Sequence, residues 1–432
     1  MTEKKKISLI TLGCPKNEVD TDVLSGVLKE QYAIIDDAEQ ADIIFINTCG
    51  FIEDAKQESI DTILQAGELK KGNPNLQIYV WGCLSERYKD EIKQEFPEVD
   101  GFFGVEPFTE MGQTFLGKQF EWQTHYFNQR GLSTPSHTAY LKVSDGCQHQ
   151  CTFCAIPLFK GKTRSRTIQS LTDEAKALAD QGVRELHLVA QDTTSYGLDL
   201  GQIGLSDLLE SLTQIHGIDW IRILYAHPLH VDERLIQTMA GDPKICHYLD
   251  MPLQHASDAM LKAMGRGHNR DMMVELIAMM RQYMPDIVLR TAFILGFPGE
   301  TADDFDILMD FIQDIRFDRM GAFVYSAEEG TAAFNMGPEV KRKVAEERYN
   351  ILMAEQQVIS EGKNAALEDN VMDVLVDGFD KEQNCYYGRT YGDALDVDQL
   401  VWIQGKAHVG KIEKVRINTS SAYDLEGYLD KP

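Results

Sequence analysis

AYLKVSDGCQHQCTFCAIP, residues 139–157, is the stretch on which the reading of the whole chain turns. AYLKVS (139–144) reads as a β-strand, and directly beyond it Cys147, Cys151 and Cys154 form C-x3-C-x2-C. Three thiolates within eight residues can cap three irons of a cubic 4Fe-4S cluster but supply no fourth ligand, so one iron stays open. The alternative is zinc, with His149 or Cys246 closing a tetrahedron, although structural zinc more often pairs two C-x2-C knuckles.

An open iron has a chemical use. S-adenosylmethionine can chelate it through its amino and carboxylate groups, and an electron from the cluster then breaks a carbon–sulfur bond to give a 5'-deoxyadenosyl radical. Acid–base side chains cannot abstract hydrogen from an unactivated carbon; a cofactor must carry that step.

Reading towards the C-terminus, further strand candidates are ELHLVA (185–190), WIRILY (220–225), CHYLDM (246–251), IVLRTAFI (287–294) and RMGAFVY (319–325), with helical patterns such as SLTDEAKALADQG and DMMVELIAMMRQYM between them. Six β/α units in succession predict a partial (β/α)6 barrel, since a full barrel needs two more. The cysteine loop then lies at the C-terminal end of the first strand, where such folds gather their sites. A polar helix follows at about 338–361, and from residue 370 the pattern is β only: VMDVLVDGF, CYYGRTYG, LVWIQG and HVGKIEKVRI predict a small β-barrel or OB-like module.

Reading towards the N-terminus, ISLITL (7–12), DIIFIN (42–47) and LQIYVW (76–81) alternate with helix-like segments, as in a parallel α/β sheet. Cys14, Cys49 and Cys83 each follow one of these strands by one or two residues, 35 and 34 residues apart. In a parallel sheet all strands end on one rim, so these cysteines are expected side by side in the crevice where such folds bind ligands. They predict a second cluster with an open iron; the alternative is three buried or free thiols, because Cys is a common core residue. The expected organisation is an α/β fold: an N-terminal parallel-sheet domain over 1–117, a linker over 118–138, the partial barrel over 139–361 and the β-module over 362–432.

Composition excludes several classes. With 43% hydrophobic and 25% charged residues the 432-residue chain is an ordinary folded protein. Its formal net charge of −26 repels phosphate backbones and attracts basic partners. Lys4, Lys5 and Lys6 before ISLITL and Gly13-Cys14 loosely imitate a lipoprotein signal, but the apolar run is too short, and no stretch is long enough to span a bilayer. A cytoplasmic protein without disulfides is expected. Cys246 and Cys385 have no partner spacing and read as structural.

Weaker candidates sit at other strand ends. Gly296, Pro298 and Gly299 could approach the adenine or ribose of S-adenosylmethionine, or simply turn the chain from strand to helix. Gln191, Asp192, Gln254 and His255 are cofactor or substrate contacts by position, with loop hydrogen bonding as the alternative.

GCPKN (13–17), INTCGFI (46–52), WGC (81–83), SDGCQHQCTFCAIP (144–157), YLDMPLQHAS (248–257) and FILGFPGET (293–301) resemble the methylthiotransferase family of radical S-adenosylmethionine enzymes, and the final module resembles that family's TRAM domain. The resemblance implies that Cys147, Cys151 and Cys154 bind the cluster that cleaves S-adenosylmethionine. It implies that Cys14, Cys49 and Cys83 bind an auxiliary 4Fe-4S cluster holding the sulfur to be transferred, one S-adenosylmethionine methylating that sulfur and a second making the radical. The net change is C–H to C–S–CH3, and an electron-donor protein is needed. Of the family's two branches, GCPKN and TCGFIEDAKQESI resemble the one that modifies the β-carbon of an aspartate in small-subunit ribosomal protein twelve, taken free or within the ribosome. The other modifies an adenosine of tRNA. Charge agrees with the first: residues 363–432 hold 13 acidic against 8 basic side chains, net −5, which suits a basic ribosomal protein better than tRNA. A rival of another class is a zinc-binding scaffold without activity.

Overall fold

The computed structural model describes residues 4–106, 108–117, 125–201 and 203–430. The N-terminal sheet has five parallel strands, β1 (Lys6–Thr11), β2 (Ala33–Ile35), β3 (Ile43–Thr48), β4 (Gln77–Gly82) and β5 (Gly101–Phe102), in the order β2-β1-β3-β4-β5. β3, IIFINT, is buried along its whole length, as a central strand covered on both faces must be. The three strands that carry cysteines are therefore neighbours at the middle of the sheet. β2 and β5 are short edge strands that the apolar-run reading missed.

The central domain contains β6 (Thr138–Lys142), the two-residue strands β7 (Ser144–Asp145) and β8 (Arg164–Ser165), then β9 (Glu185–Val189), β10 (Trp220–Ile223), β11 (Ile245–Asp250), β12 (Val288–Leu295) and β13 (Arg319–Val324). Six of them form one parallel sheet, β13-β12-β11-β10-β9-β6, which is the expected partial barrel. Alternation sorts its side chains. Leu141, Leu186, Leu188, Ile221, Ile223 and Leu249 pack against the surrounding helices as the main core. At about 1.5–3 kcal/mol per buried large side chain, this layer is the chief source of stability. β7 and β8 pair antiparallel and pinch the base of the cysteine loop between them.

Of the stretch read as a linker, residues 118–124 lie outside the described residues. Beyond them His125–Gln129 forms a 3-10 turn, Phe127 is buried, and the buried Arg130 pairs with Glu174 at 3.3 Å. Arg342–Ala365 is the long helix that the polar run predicted. Five strands then close a small barrel: β14 (Val371–Asp380), β15 (Cys385–Thr390), β16 (Leu400–Gln404), β17 (Ile412–Ser420) and β18 (Asp424–Leu429), in the order β14-β15-β16-β18-β17. β18 was not anticipated.

The inner face of the six-stranded sheet is sealed by the other two domains. Val19 and Val23 of the helix Pro15–Leu28, with Leu375, Ala394 and Leu395 of the small barrel, pack on Tyr140, Val189, Trp220 and Tyr248. Beneath that layer, buried Arg389 bridges Asp377 at 2.7 Å and Glu185 at 2.8 Å, Arg222 donates to Glu185, and Arg319 pairs with Asp393 at 2.7 Å. Cys246 is buried among these groups, and burial pushes its thiol up to about 11.

Candidate active site

Cys14 caps the N-terminus of the helix Pro15–Leu28, and its carbonyl accepts from the amides of Asn17 and Glu18. Cys49 is fixed by Ser59, whose hydroxyl accepts from its amide at 3.0 Å and donates to its carbonyl at 2.9 Å. Cys83 opens the short helix Cys83–Arg87. Their loops touch through glycine. A Cβ on Gly13 would lie 2.6 Å from the Cβ of Cys49, and one on Gly50 would lie 2.8 Å from the amide nitrogen of Leu84, beside Cys83. No other residue allows these approaches, so the three thiols share one rim, as the strand-end argument requires.

Cys147, Cys151 and Cys154 follow β7 in a loop tied at several points. The amide of Cys147 donates to Gly161, that of Thr152 to Met264, and that of Ala333 to the carbonyl of Thr152. Arg266 reaches the sulfur of Cys151 at 3.3 Å. Burial pushes Cys147 up to about 11 and Cys154 to about 12; on the other rim it pushes Cys83 up to about 12. Thiols so desolvated are protonated at neutral pH unless a strong Lewis acid takes the proton's place, and iron is such an acid.

The alternative of zinc fits poorly. Two thiolates on tetrahedral zinc lie about 3.8 Å apart, given Zn–S bonds of about 2.3 Å. Among the described residues, the group of three His, Cys, Asp or Glu side chains with ligand atoms all within 4.8 Å is His149, Asp192 and His230, which contains none of the cysteines. His149, the nominated fourth ligand, is taken by Asp192 at 2.6 Å, and Cys246 is buried on the inner sheet face.

The two thiol groups face one another. The helix Ile156–Lys160, which continues from Cys154, packs on the helix Cys83–Arg87, with Cys83, Ala155 and Phe159 in one apolar cluster. Between the groups lies a buried ionic wall. Lys142 pairs with Asp20 and, at 3.4 Å, with Asp145; Lys160 pairs with Asp145 at 3.2 Å. Burial alone would raise the Asp145 carboxyl, but Lys160 and Lys142 outweigh it and hold it below its usual range. Across the mouth, Glu328 beyond β13 accepts from Arg87 at 2.8 Å and pairs with Lys56 at 3.2 Å, so a carboxylate of the partial barrel clasps the N-terminal domain.

The weaker candidates divide. Gln191 donates to Asp145 at 2.7 Å and keeps a buried, unpartnered amide oxygen. Asp192 is fully engaged: it accepts from Thr194 and Ser195 and binds both His149 and His230. Burial would raise its carboxyl, yet those hydrogen bonds hold it low. His149 also stacks on His227 with ring centroids 3.9 Å apart. Gln254 has φ +75° and bridges to Phe293 through its backbone. Buried His255 accepts from the amides of Ala256 and Ser257, a turn role. A Cβ on Gly296 would lie 2.4 Å from that of Ala345, so the long helix demands glycine there, whereas Gly299, at φ +88°, borders open space. Sequence reasoning passed over Lys16, Asp145, Lys160 and Arg266; Lys16 stood inside the quoted GCPKN, but nothing in the chain's pattern marked it as buried.

Comparison with known proteins agrees with this geometry. The Radical SAM superfamily model matches residues 141–312, the TRAM domain model residues 370–429, and the model of an uncharacterised protein family, UPF0004, residues 6–104. A radical S-adenosylmethionine methyltransferase, TsrM of Kitasatospora setae, whose structure holds cobalamin and a 4Fe-4S cluster, has the same fold over 77% of this chain and 74% of its own, with TM-score 0.56 and 14% identity. The cobalamin-dependent enzyme OxsB aligns over 83% of this chain and 56% of its own, with TM-score 0.51 and 15% identity. The chain is thus a radical S-adenosylmethionine enzyme. Proteins named ribosomal protein uS12 methylthiotransferase RimO are far closer in sequence: that of Acetivibrio thermocellus is 44% identical over 98% of both chains, that of Clostridioides difficile 44% over 98% of both, and that of a Sulfurihydrogenibium species 45% over 98% of both. The chain belongs to that methylthiotransferase family.

Proposed function

We propose that this enzyme converts a C–H bond to C–S–CH3 at the β-carbon of an aspartate in the small-subunit ribosomal protein uS12. One observation carries the reading: two thiol triads from separate domains, each short of a fourth ligand, face each other across a single buried wall in a chain whose full-length relatives bear that activity in their names. Cys147, Cys151 and Cys154 hold the cluster that binds S-adenosylmethionine, and Cys14, Cys49 and Cys83 hold an auxiliary one; when bound, the clusters and S-adenosylmethionine supply the electron, the radical and the methylthio group. The protein's own residues position these groups, dry the space between them and fix its charge. Arg266 sits against the Cys151 sulfur, His149 is oriented by Asp192, and Gln191 offers a free acceptor. Gly296, Gly299 and Gln254 remain the cofactor contacts suggested by position, with Gly296 also admitting Ala345 of the long helix. Among the described residues no helix is long and apolar enough to cross a membrane, and the cytoplasm, with its ribosomes and reductant proteins, is the proposed setting.

The tRNA reading has less support. Of the basic side chains on KIEKVRI (Lys411, Lys414, Arg416) in the small barrel, Lys414 pairs with Asp373 at 2.9 Å and Arg416 with Asp430 at 3.1 Å. Two measurements test the proposal. Changing Cys14, Cys49 and Cys83 to Ala halves the iron of anaerobically reconstituted protein while 5'-deoxyadenosine still forms; changing Cys147, Cys151 and Cys154 abolishes that product. Mass spectrometry of a deletion strain shows uS12 lighter by one methylthio group. Unmodified tRNA beside intact uS12 refutes the substrate, and full zinc occupancy of either triad refutes the chemistry.

A further inference from the structure

Beside the buried ionic cluster stands one cation, Lys16, that makes no ion pair among the described residues. Lys142 and Lys160 share Asp20 and Asp145, as described. Lys16, two residues beyond Cys14, is also buried, at 8% exposure, and within electrostatic reach of Cys14, Tyr225, Asp145 and Lys160. It makes neither a hydrogen bond nor an ion pair among the described residues; its ammonium instead lies 3.7 Å from the centre of the Tyr225 ring. A cation–π contact returns less than removing an ammonium from water costs. The Cys14 sulfur, Tyr225 and Asp145 together hold the ammonium charged against its burial, yet no carboxylate pairs with it among the described residues, in a place where Lys142 and Lys160 each have one.

Tyr225 supplies an independent sign that the arrangement is functional. It lies just beyond β10 with φ +60°, a left-handed conformation that costs a residue with a Cβ about 1–2 kcal/mol. Its amide donates to Asp250 at 3.2 Å and its carbonyl accepts from Thr193 at 3.0 Å, and these bonds hold the strained turn. Strain kept in this way gathers at ligand sites. Here it presents the ring that seats Lys16 across the domain boundary.

We propose that Lys16 receives the carboxylate of the aspartate being modified. This rests on the function proposed above and names the residue that selects its substrate. In aspartate the reacting β-carbon is bonded directly to the carboxyl carbon, so a cation that fixes the carboxylate also fixes the C–H bond in the gap between the two thiol groups. An adenosine base has no carboxylate, and Lys16 would have nothing to bind in it.

The test uses reconstituted holoenzyme and purified uS12, either natural or with the target aspartate changed to asparagine. The wild type is expected to bind the aspartate form 10- to 100-fold more tightly. Lys16→Met binds both forms equally and weakly, and Lys16→Arg recovers part of the preference. Iron content and the electron paramagnetic resonance of both clusters accompany each variant; should Lys16→Met lose iron, the polar but uncharged Lys16→Gln takes its place. A lysine-free variant that keeps the full preference overturns the proposal, and so does one whose affinity for S-adenosylmethionine falls in step, since the cation would then serve the cofactor's carboxylate. A wild type that modifies uS12 but binds both forms alike overturns the role of Lys16 alone. A wild type that leaves uS12 unmodified overturns the reading beneath it.

Discussion

Glu328→Gln removes one charge from the clasp that holds the N-terminal domain over the partial barrel. The natural carboxylate is buried, accepts from Arg87 at 2.8 Å and from the Ser326 hydroxyl at 2.7 Å, and pairs with Lys56 at 3.2 Å. Its side chain is 3% exposed and those of Arg87 and Lys56 are 6% and 12%, so the weak-surface-pair rule does not apply. Removing one partner of a buried pair costs about 3–5 kcal/mol. Lys56 retains Glu53 at 2.7 Å, and Arg87 retains the carbonyls of Gly50 and Glu329 at 2.9 Å each, which places the cost at the low end, about 3 kcal/mol. At 1.4 kcal/mol per decade this multiplies the undocked population roughly 100-fold. Because Arg87 shares a short helix with Cys83 and holds the carbonyl beside Cys49, undocking moves two of the proposed auxiliary-cluster ligands away from the barrel mouth. Hydrogen exchange over 83–87 and 326–331 should accelerate, and the yield of modified uS12 per 5'-deoxyadenosine should fall, since radicals then form without the sulfur in place. Unchanged exchange together with unchanged coupling refutes the reasoning.

Two further outcomes are expected. Arg389→Met strips Asp377 and Glu185 of a shared buried cation; losing about 3–5 kcal/mol, the small barrel should become sensitive to limited proteolysis, and a loss below about 1 kcal/mol in urea denaturation shows that apolar docking alone holds it. Metal-free protein should lose stability as pH rises above about 9. Cys83 and Cys154 are raised from 9.0 to about 12 by burial, so between those values the native state binds more protons than the unfolded one, and stability falls by up to about 1.4 kcal/mol per thiol per pH unit. Protein loaded with iron, its thiols already deprotonated, should not show this fall in thermal denaturation across pH 8 to 11.

The chain's pattern made the architecture legible because both parallel sheets are built from buried apolar strands, and strand ends in a parallel sheet must share a rim. That argument brought Cys14, Cys49 and Cys83 together from 34 to 35 residues apart. It could not show that the two rims face each other, since this depends on Cys83, Ala155 and Phe159 meeting across domains. Edge strands β2 and β5 escaped because three and two residues carry no period. Gly296 shows a related ambiguity: a glycine needed to admit Ala345 has the same sequence signature as one needed to admit a cofactor. Buried lysines are the hardest of all to foresee, since Lys16 and Lys142 look like any surface lysine until the domain that buries them is in place.

The charge of the molecule acquires a meaning only when its exterior and interior are separated. The formal charge of −26 suits the exterior to a basic partner, such as the ribosomal protein proposed as substrate, better than to a nucleic acid, at a range set by salt. The space between the thiol groups has the opposite sign in its fixed side chains: Lys16, Lys142, Lys160 and Arg266 against Asp20 and Asp145. Thiolates on iron, a transferable sulfide and the carboxylates of S-adenosylmethionine and aspartate are all anionic, and in a dry cavity they would repel one another far more than in water. Buried cations are what allow them to meet. On the proposed function, the acidic exterior suits a basic substrate, and the buried cations suit the entry of an aspartate side chain.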